Sequence, residues 1–246
     1  MSGALPKLNA TPTHELTIPS SGQKVSYRPY LVKEEKILLL AFESQDEKQA
    51  MQAMVDTIIA CVNEKLNPKT FTSFDVEYMF TQIRSKSVGE TTKINVACSE
   101  CGTNNEQTIN LAELKVEVPE INNVIELTDN ISVELKYPSF EAFIKNYGKD
   151  QTETEFSYMV INNCIDAVIN GETRISADEV SVKELSEFVE SMSSQQFQSI
   201  ADYVQNMPQL EDTVNFTCSN CGHENNRKLK GCLLYTSDAA DDRMRG

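Results

Sequence analysis

The sequence predicts an α+β protein that is mainly helical, with an N-terminal β-hairpin and a four-cysteine element that a helical insertion interrupts. Three observations support this fold class. Two copies of a strand-like run that ends in Cys-x-x-Cys-Gly lie 120 residues apart. Apolar residues recur at helical spacing in several segments. Two short alternating runs flank Ser20-Ser21-Gly22-Gln23 near the N-terminus, as in a hairpin.

Three helices are predicted after the hairpin. Residues 33–43 have the composition of a short helix, and Asp46 is expected to cap a longer one. The stripe of this second helix consists of Met51, Met54, Val55, Ile58, Ile59, Val62 and Leu66. A third helix begins at Ser73 or Asp75 and ends before Arg84, with Val76, Met79, Phe80 and Ile83 at the same spacing.

The insertion between the two cysteine motifs is predicted to contain two strands followed by four helices. The strands lie at residues 124–127 and 131–137, and Thr128-Asp129-Asn130 forms the turn. The helices are predicted over residues 139–147, 153–169, 182–191 and 194–206, and Met207-Pro208 ends the last one.

The two cysteine motifs are Cys98-Ser-Glu-Cys101-Gly102 and Cys218-Ser-Asn-Cys221-Gly222. A spacing of two residues lets both sulfurs of a pair bind one ion at about 2.3 Å, and the glycine permits a turn with positive φ. Two such knuckles supply the four thiolates of a closed tetrahedral site. The sequence therefore predicts a zinc-ribbon-like element with a structural Zn²⁺ bound by Cys98, Cys101, Cys218 and Cys221. Iron remains an alternative metal, and two independent redox dithiols remain an alternative chemistry.

The other candidate groups do not indicate an enzyme. Cys61 and Cys164 lie in amphipathic segments and are predicted to be core thiols. Only two histidines occur, His14 and His223, and neither has the flanking residues of a catalytic base. No phosphate-binding loop, dinucleotide fingerprint or nucleophile elbow is found. We therefore expect no catalytic residue, no cofactor-binding residue and no small-molecule substrate.

The composition limits the partners and the location. The formal net charge of −15 favours neither nucleic acid nor an anionic membrane as a partner. The sequence shows no signal peptide and no apolar run of the roughly 18 residues that a membrane helix needs. Paired cysteines without a disulfide framework fit a reducing compartment, so a cytosolic protein is predicted. A zinc-ribbon regulator that binds nucleic acid or a polymerase remains the alternative.

The C-terminal residues 232–246 resemble the translation of a sequencing adapter. The segment begins Cys232-Leu-Leu-Tyr-Thr-Ser-Asp. We therefore expect Cys232 to be no ligand, and we expect the natural sequence to be interrupted shortly after Lys230, so that the natural C-terminus and the true ending of the last strand are lost.

Several segments carry a resemblance to a known family. They are VSYRPYLVKEEKILLLAFES at residues 25–44, FDVEYMF at 74–80, IRSKSVGE at 83–90 and the helix and knuckle near the end. Over residues 15–230 the chain resembles the baseplate proteins of T-even-type tailed bacteriophages, the family of the hub subunit and the hub assembly catalyst. The resemblance implies a structural or assembly role in the central hub of a contractile-tail baseplate, with other hub proteins as partners. It also implies a location in the host cytoplasm during assembly and in the virion tail baseplate.

Together these observations predict six regions. They are a flexible N-terminus (1–14), a hairpin with helices (15–92), a first knuckle (93–118), a strand-plus-helical insertion (119–210), a second knuckle (211–231) and the adapter-like tail (232–246). Residues 27–42 and 84–90 are the hypothesised partner-facing surface, and a plain core-and-turn role is the alternative.

Overall fold

The computed structural model describes residues 11–119, 122–146 and 152–230. Of these residues 41% are helical and 27% are in strands, and the strands number ten in four sheets. The prediction of a mainly helical protein was therefore wrong. Two features account for the difference: each cysteine motif forms the tip of a long hairpin, and the insertion contains a four-stranded sheet.

The N-terminal region follows the predicted order. Strands β1 (His14–Thr17) and β2 (Lys24–Tyr27) form the hairpin, and helices α1 (Val32–Glu43), α2 (Glu47–Cys61) and α3 (Ser73–Ser87) follow it. The Asp46 side chain accepts hydrogen bonds from the first turn of α2, as predicted. Leu66 lies beyond the end of α2.

Helix α3 continues one turn further than predicted, through Arg84 to Ser87. The hydroxyl groups of Ser85 and Ser87 donate to the carbonyls of Gln82 and Ile83, at 2.8 and 2.6 Å. These bonds back onto the helix give the polar side chains partners within it, so the polar composition does not end it. The expectation that α3 ends before Arg84 was wrong for this reason.

The first cysteine hairpin consists of β3 (Thr91–Ala97) and β4 (Asn104–Asn110). The insertion follows, in the order β5 (Val124–Glu126), β6 (Ile131–Leu135), α4 (Phe140–Asn146), α5 (Glu153–Cys164), β7 (Ile165–Asn170), β8 (Thr173–Ser176), α6 (Val182–Glu190) and α7 (Ser194–Gln205). The second cysteine hairpin consists of β9 (Glu211–Thr217) and β10 (Glu224–Lys230).

The single helix predicted over residues 153–169 was wrong in its last five residues. Helix α5 ends at Cys164, and the next residues form β7, which pairs with β6 on one side and β8 on the other. Ile165 and Ala167 are buried, and β-branched residues pack well on a pleated surface. The apolar residues after α5 keep a helical spacing, but hydrogen bonding to β6 and β8 on both edges of this segment makes it a strand.

The described residues form two hydrophobic cores. The first joins the N-terminal hairpin, α1–α3 and both cysteine hairpins, and the second joins the four-stranded sheet to α5–α7. Tyr137 links the second core to α3, because its ring meets Phe74 of α3 edge-on at 5.2 Å and stacks on Tyr203 at 5.9 Å. The cysteine hairpins thus share a core with α1–α3.

Some predicted segments lie outside the described residues, namely residues 1–10 of the predicted flexible N-terminus and the adapter-like tail. Within the described ranges, every helix is too short or too polar to cross a bilayer.

Candidate metal centre

The two cysteine hairpins are copies of one structure. In the first hairpin, Thr91 pairs with Asn110. In the second hairpin, Glu211 pairs with Lys230, and both of these residues lie 120 positions after their counterparts. Each hairpin has seven residue pairs in all, and the register is the same in both. The sequence repeat therefore extends from the cysteine motif to the whole strand pair.

A tight turn at the tip of each hairpin positions the cysteines. The Cys98 amide donates to the Thr103 carbonyl at 2.9 Å, and the Gly102 amide donates to the Cys98 carbonyl at 3.0 Å. The second tip has the same two bonds, at 2.8 and 3.0 Å. The φ angles of Gly102 and Gly222 are +70° and +71°, a region that glycine adopts without strain. The predicted role of these glycines is confirmed.

The two tips bring the four predicted ligands together. The Sγ atoms of Cys98 and Cys221 are 3.7 Å apart, and those of Cys101 and Cys218 are 3.6 Å apart. All four sulfurs lie within 4.8 Å of one another. A regular tetrahedron with metal–sulfur bonds of about 2.3 Å has sulfurs about 3.8 Å apart. The four cysteines are therefore close enough to bind one metal ion and form a single cluster, which speaks against two separate redox dithiols.

The sulfurs differ in their surroundings. Cys98 and Cys218, the first cysteine of each pair, are buried, whereas Cys101 and Cys221 are exposed. The cluster therefore has a protected side toward the hairpins and an open side toward solvent.

The surroundings of the thiols shift their pKa values in opposite directions. The backbone amide of Cys101 lowers the pKa of Cys98, and the hydrogen bond with the Thr103 side chain lowers the pKa of Cys101 to about 6. The His223 amide lowers the pKa of Cys221, but the Cys101 thiol, burial and the other thiols outweigh it and raise this pKa to about 12. Four thiolates so close together repel one another. A divalent cation removes this repulsion and stabilises all four as thiolates.

The site also includes two asparagines, which the sequence analysis did not identify. Asn105 on β4 places its Nδ2 atom 3.6 Å from Cys218 Sγ, and Asn225 on β10 places its own 3.5 Å from Cys98 Sγ. Both side chains are buried. A signal was present, because each asparagine follows the second cysteine of its motif by four residues. The repeat is therefore Cys-Ser-x-Cys-Gly-x-x-Asn.

The remaining predicted groups lie apart from the cluster. Burial raises the pKa of Cys61 to about 11 and that of Cys164 to about 12, as expected for unreactive core thiols. The His14 ring packs near Tyr27, with 5.6 Å between ring centroids. In the part of the chain that the structure describes, the four cysteines are the one group of metal-binding side chains found, and His223 is not in it.

Comparison with known proteins identifies one relationship. A family model described as T4 bacteriophage base plate protein matches residues 11–233. The matched range includes both cysteine hairpins and the insertion between them. Neither a curated protein nor a solved structure shows significant similarity to the chain.

Proposed function

The chain belongs to the T4 bacteriophage base plate protein family, and from this premise we propose that it builds the central hub of a contractile-tail baseplate. It acts as a structural or assembly protein through contacts with other baseplate hub proteins. It meets these partners in the host cytoplasm during assembly and reaches the tail baseplate with them. Its four cysteines hold a structural Zn²⁺, and the role requires no catalytic residue.

An exposed apolar face on α1 is the observation that carries this proposal. Among the described residues, five of the eleven exposed large apolar side chains lie between Leu31 and Phe42. Val32, Ile37 and Leu40 are 78%, 55% and 56% exposed, and their spacing places them along one side of the helix. Concentrated apolar exposure of this kind marks protein-binding surfaces. We call Val32, Ile37 and Leu40 the α1 face; Leu31 and Phe42 lie at the other edge of the buried side of the helix.

The second hypothesised segment adjoins the α1 face. The Tyr30 amide donates to the Ser87 hydroxyl at 2.9 Å, which brings the end of α3 against the start of α1. Val88 follows directly and is exposed. Tyr27 and Ser85 from the same two segments are buried, so these residues serve the core and not the surface.

A charged network fixes the start of α1. Arg28 donates to Glu34 Oε1 and to the Ala60 carbonyl, both at 2.9 Å, and the Leu31 amide donates to Glu34 Oε2 at 2.8 Å. Burial opposes ionisation of Glu34, but the bonds from Arg28 and Leu31 together lower its pKa. The α1 face is thus presented on a fixed helix, which reduces the entropy lost on binding.

Two valines give a matched test of the α1 face. Val32 is the first residue of α1 and Val182 is the first residue of α6, and they are 78% and 80% exposed. Co-expression with the hub proteins of the same phage, followed by affinity purification, measures the association. We expect Val32→Glu to weaken it about tenfold or more, because burying a valine contributes about 1.5–3 kcal/mol and tenfold in affinity corresponds to about 1.4 kcal/mol.

Val182→Glu is the control and should leave the association unchanged, since it makes the same substitution outside the α1 face. Equal retention of partners by both variants would show that the α1 face is not the contact surface. Salt-sensitive retention of the wild-type protein on DNA, with no hub protein bound, would favour the zinc-ribbon regulator instead.

A further inference from the structure

We propose that Asn105 and Asn225 are positioning residues of the metal centre, each holding the opposite knuckle in place through what we call the asparagine clasp. The clasp consists of Asn105 with Ser219 and Cys218, and of Asn225 with Ser99 and Cys98. It gathers the four sulfurs before the metal binds and supplies hydrogen bonds to the two buried ones.

The first half of the clasp uses the whole side-chain amide of Asn105. Its Oδ1 atom accepts from the Ser219 amide at 2.8 Å and from the Ser219 hydroxyl at 3.0 Å. Its Nδ2 atom donates to the Thr103 carbonyl at 2.8 Å and lies 3.6 Å from Cys218 Sγ. The reversed amide would place an oxygen against a carbonyl, so the contacts fix its orientation.

The second half repeats these contacts in the opposite direction. Asn225 Oδ1 accepts from the Ser99 amide and hydroxyl at 2.9 and 3.0 Å, and its Nδ2 atom donates to the His223 carbonyl at 3.0 Å. Nδ2 also lies 3.5 Å from Cys98 Sγ. Reciprocal contacts of this kind define a two-fold arrangement, here within one chain. The two knuckles therefore hold each other through residues more than a hundred positions apart.

The asparagine clasp provides hydrogen-bond donors to the two buried sulfurs, those of Cys98 and Cys218. Four thiolates around one divalent cation leave two net negative charges, and hydrogen bonds to sulfur stabilise them. Water can reach the exposed Cys101 and Cys221, whereas Cys98 and Cys218 are buried. Protein donors must therefore serve the buried sulfurs, and each asparagine supplies one there; at Cys98 it adds to the backbone amide of Cys101.

Alanine variants of each asparagine test the clasp, with neighbouring residues as controls. Asn104 and Glu224 immediately precede the two asparagines, occupy equivalent repeat positions and are exposed. Affinity for Zn²⁺ is measured by competition with a chromogenic chelator. We expect Asn105→Ala and Asn225→Ala to weaken binding about 10- to 100-fold. Asn104→Ala and Glu224→Ala should bind as the wild type does.

Amide hydrogen exchange of the metal-free protein gives a second readout. Its expected result is specific to one serine in each variant, whereas a general loss of structure would affect both. Asn105→Ala should expose the Ser219 amide and leave that of Ser99 protected, and Asn225→Ala should do the reverse. If an alanine variant does not fold, Asn105→Asp replaces it. The aspartate keeps the acceptor for Ser219 and loses the donors to Cys218 and to the Thr103 carbonyl, so Ser219 protection should persist while Zn²⁺ affinity falls.

Unchanged Zn²⁺ affinity in both alanine variants, or equal loss of protection at both serines, would overturn the clasp. The inference rests on the metal centre of the proposed function, and the two can fail separately. A wild-type protein that binds no metal overturns the metal centre and with it the positioning role. Metal binding that ignores both asparagines overturns the clasp alone.

Discussion

Replacing Cys218 with serine is the most direct test of the metal centre. Cys218 is buried, and its Sγ atom is 3.6 Å from Cys101 Sγ and within hydrogen-bond reach of Asn105. A serine hydroxyl keeps the size of the side chain but is a poor ligand for Zn²⁺. We expect the variant to lose its metal and about 5 kcal/mol of unfolding free energy.

This magnitude follows from the positions of the cysteines in the chain. The facing pairs Cys101–Cys218 and Cys98–Cys221 are 117 and 123 residues apart. Closing a loop of this length costs about 5 kcal/mol of chain entropy. A structural zinc site contributes on the order of 10 kcal/mol at neutral pH. The difference, about 5 kcal/mol, is comparable to the whole stability of many domains.

Two measurements check this expectation. Elemental analysis of the purified wild-type protein should give one zinc per chain, and the Cys218→Ser protein should give almost none. Because the chain has no tryptophan, urea unfolding is followed by circular dichroism or by the fluorescence of its eight tyrosines. The midpoint of the variant should lie well below that of the wild type, and a chelator should lower the wild-type midpoint in the same way.

Cys164→Ser is the matched control, because Cys164 is also buried but lies outside the cluster. It should cost stability without loss of metal. A metal-free wild-type protein that stays folded would refute the proposed stabilisation by metal. So would a Cys218→Ser protein that unfolds at the wild-type midpoint. Iron in place of zinc would correct the identity of the metal and leave the stability argument unchanged.

Four further substitutions test the surrounding fold. Burial raises the pKa of Glu77 from 4.5 to about 7, so its ionisation should lower stability by about 3 kcal/mol as pH rises from 4.5 through 7. Urea unfolding across this range should show that Glu77→Gln removes this pH dependence. The buried Asp75 carboxylate accepts from the Ser20 amide and hydroxyl and also caps α3, so Asp75→Ala should cost about 3 kcal/mol. Asp46→Ala removes an exposed cap, so it should lower the urea midpoint by less than Asp75→Ala does in the same assay. Gly222→Ala should lower the free energy of unfolding by about 1 kcal/mol, because an added Cβ meets no neighbouring atom and the cost comes only from the φ of +71°. It should also weaken Zn²⁺ binding in the chelator competition.

Local signals in the sequence predicted most of the helices. The capping residue Asp46 and the apolar spacing of α2 and α3 act within one or two turns, so they can be recognised without tertiary structure. The N-terminal hairpin was recognised for the same reason, since Gly22, with φ +66°, permits its turn. Each of these features depends on residues close together in the chain.

Apart from the end of α3, which local hydrogen bonds of Ser85 and Ser87 extend, the errors fall where distant partners decide the structure. Residues 165–170 continue the helical spacing of α5, yet they form a strand because β6 and β8 pair with them. The same cause made the prediction of a mainly helical protein wrong. Strand pairing is a non-local property, and the hydrogen bonds on both sides of β7 outweigh its local preference.

The sequence by itself determined the chemistry of this protein. Residue type and spacing selected four cysteines and the glycine turns, and the similarity of several segments indicated the family. Tertiary structure decided which donors support the sulfurs and which apolar residues remain uncovered. The asparagine clasp crosses between the two hairpins, and the α1 face is exposed because the other side of its helix is packed in the core. Both features depend on contacts between residues far apart in the chain. The repeat marks the two asparagines, but no local sequence pattern specifies the partners that they contact.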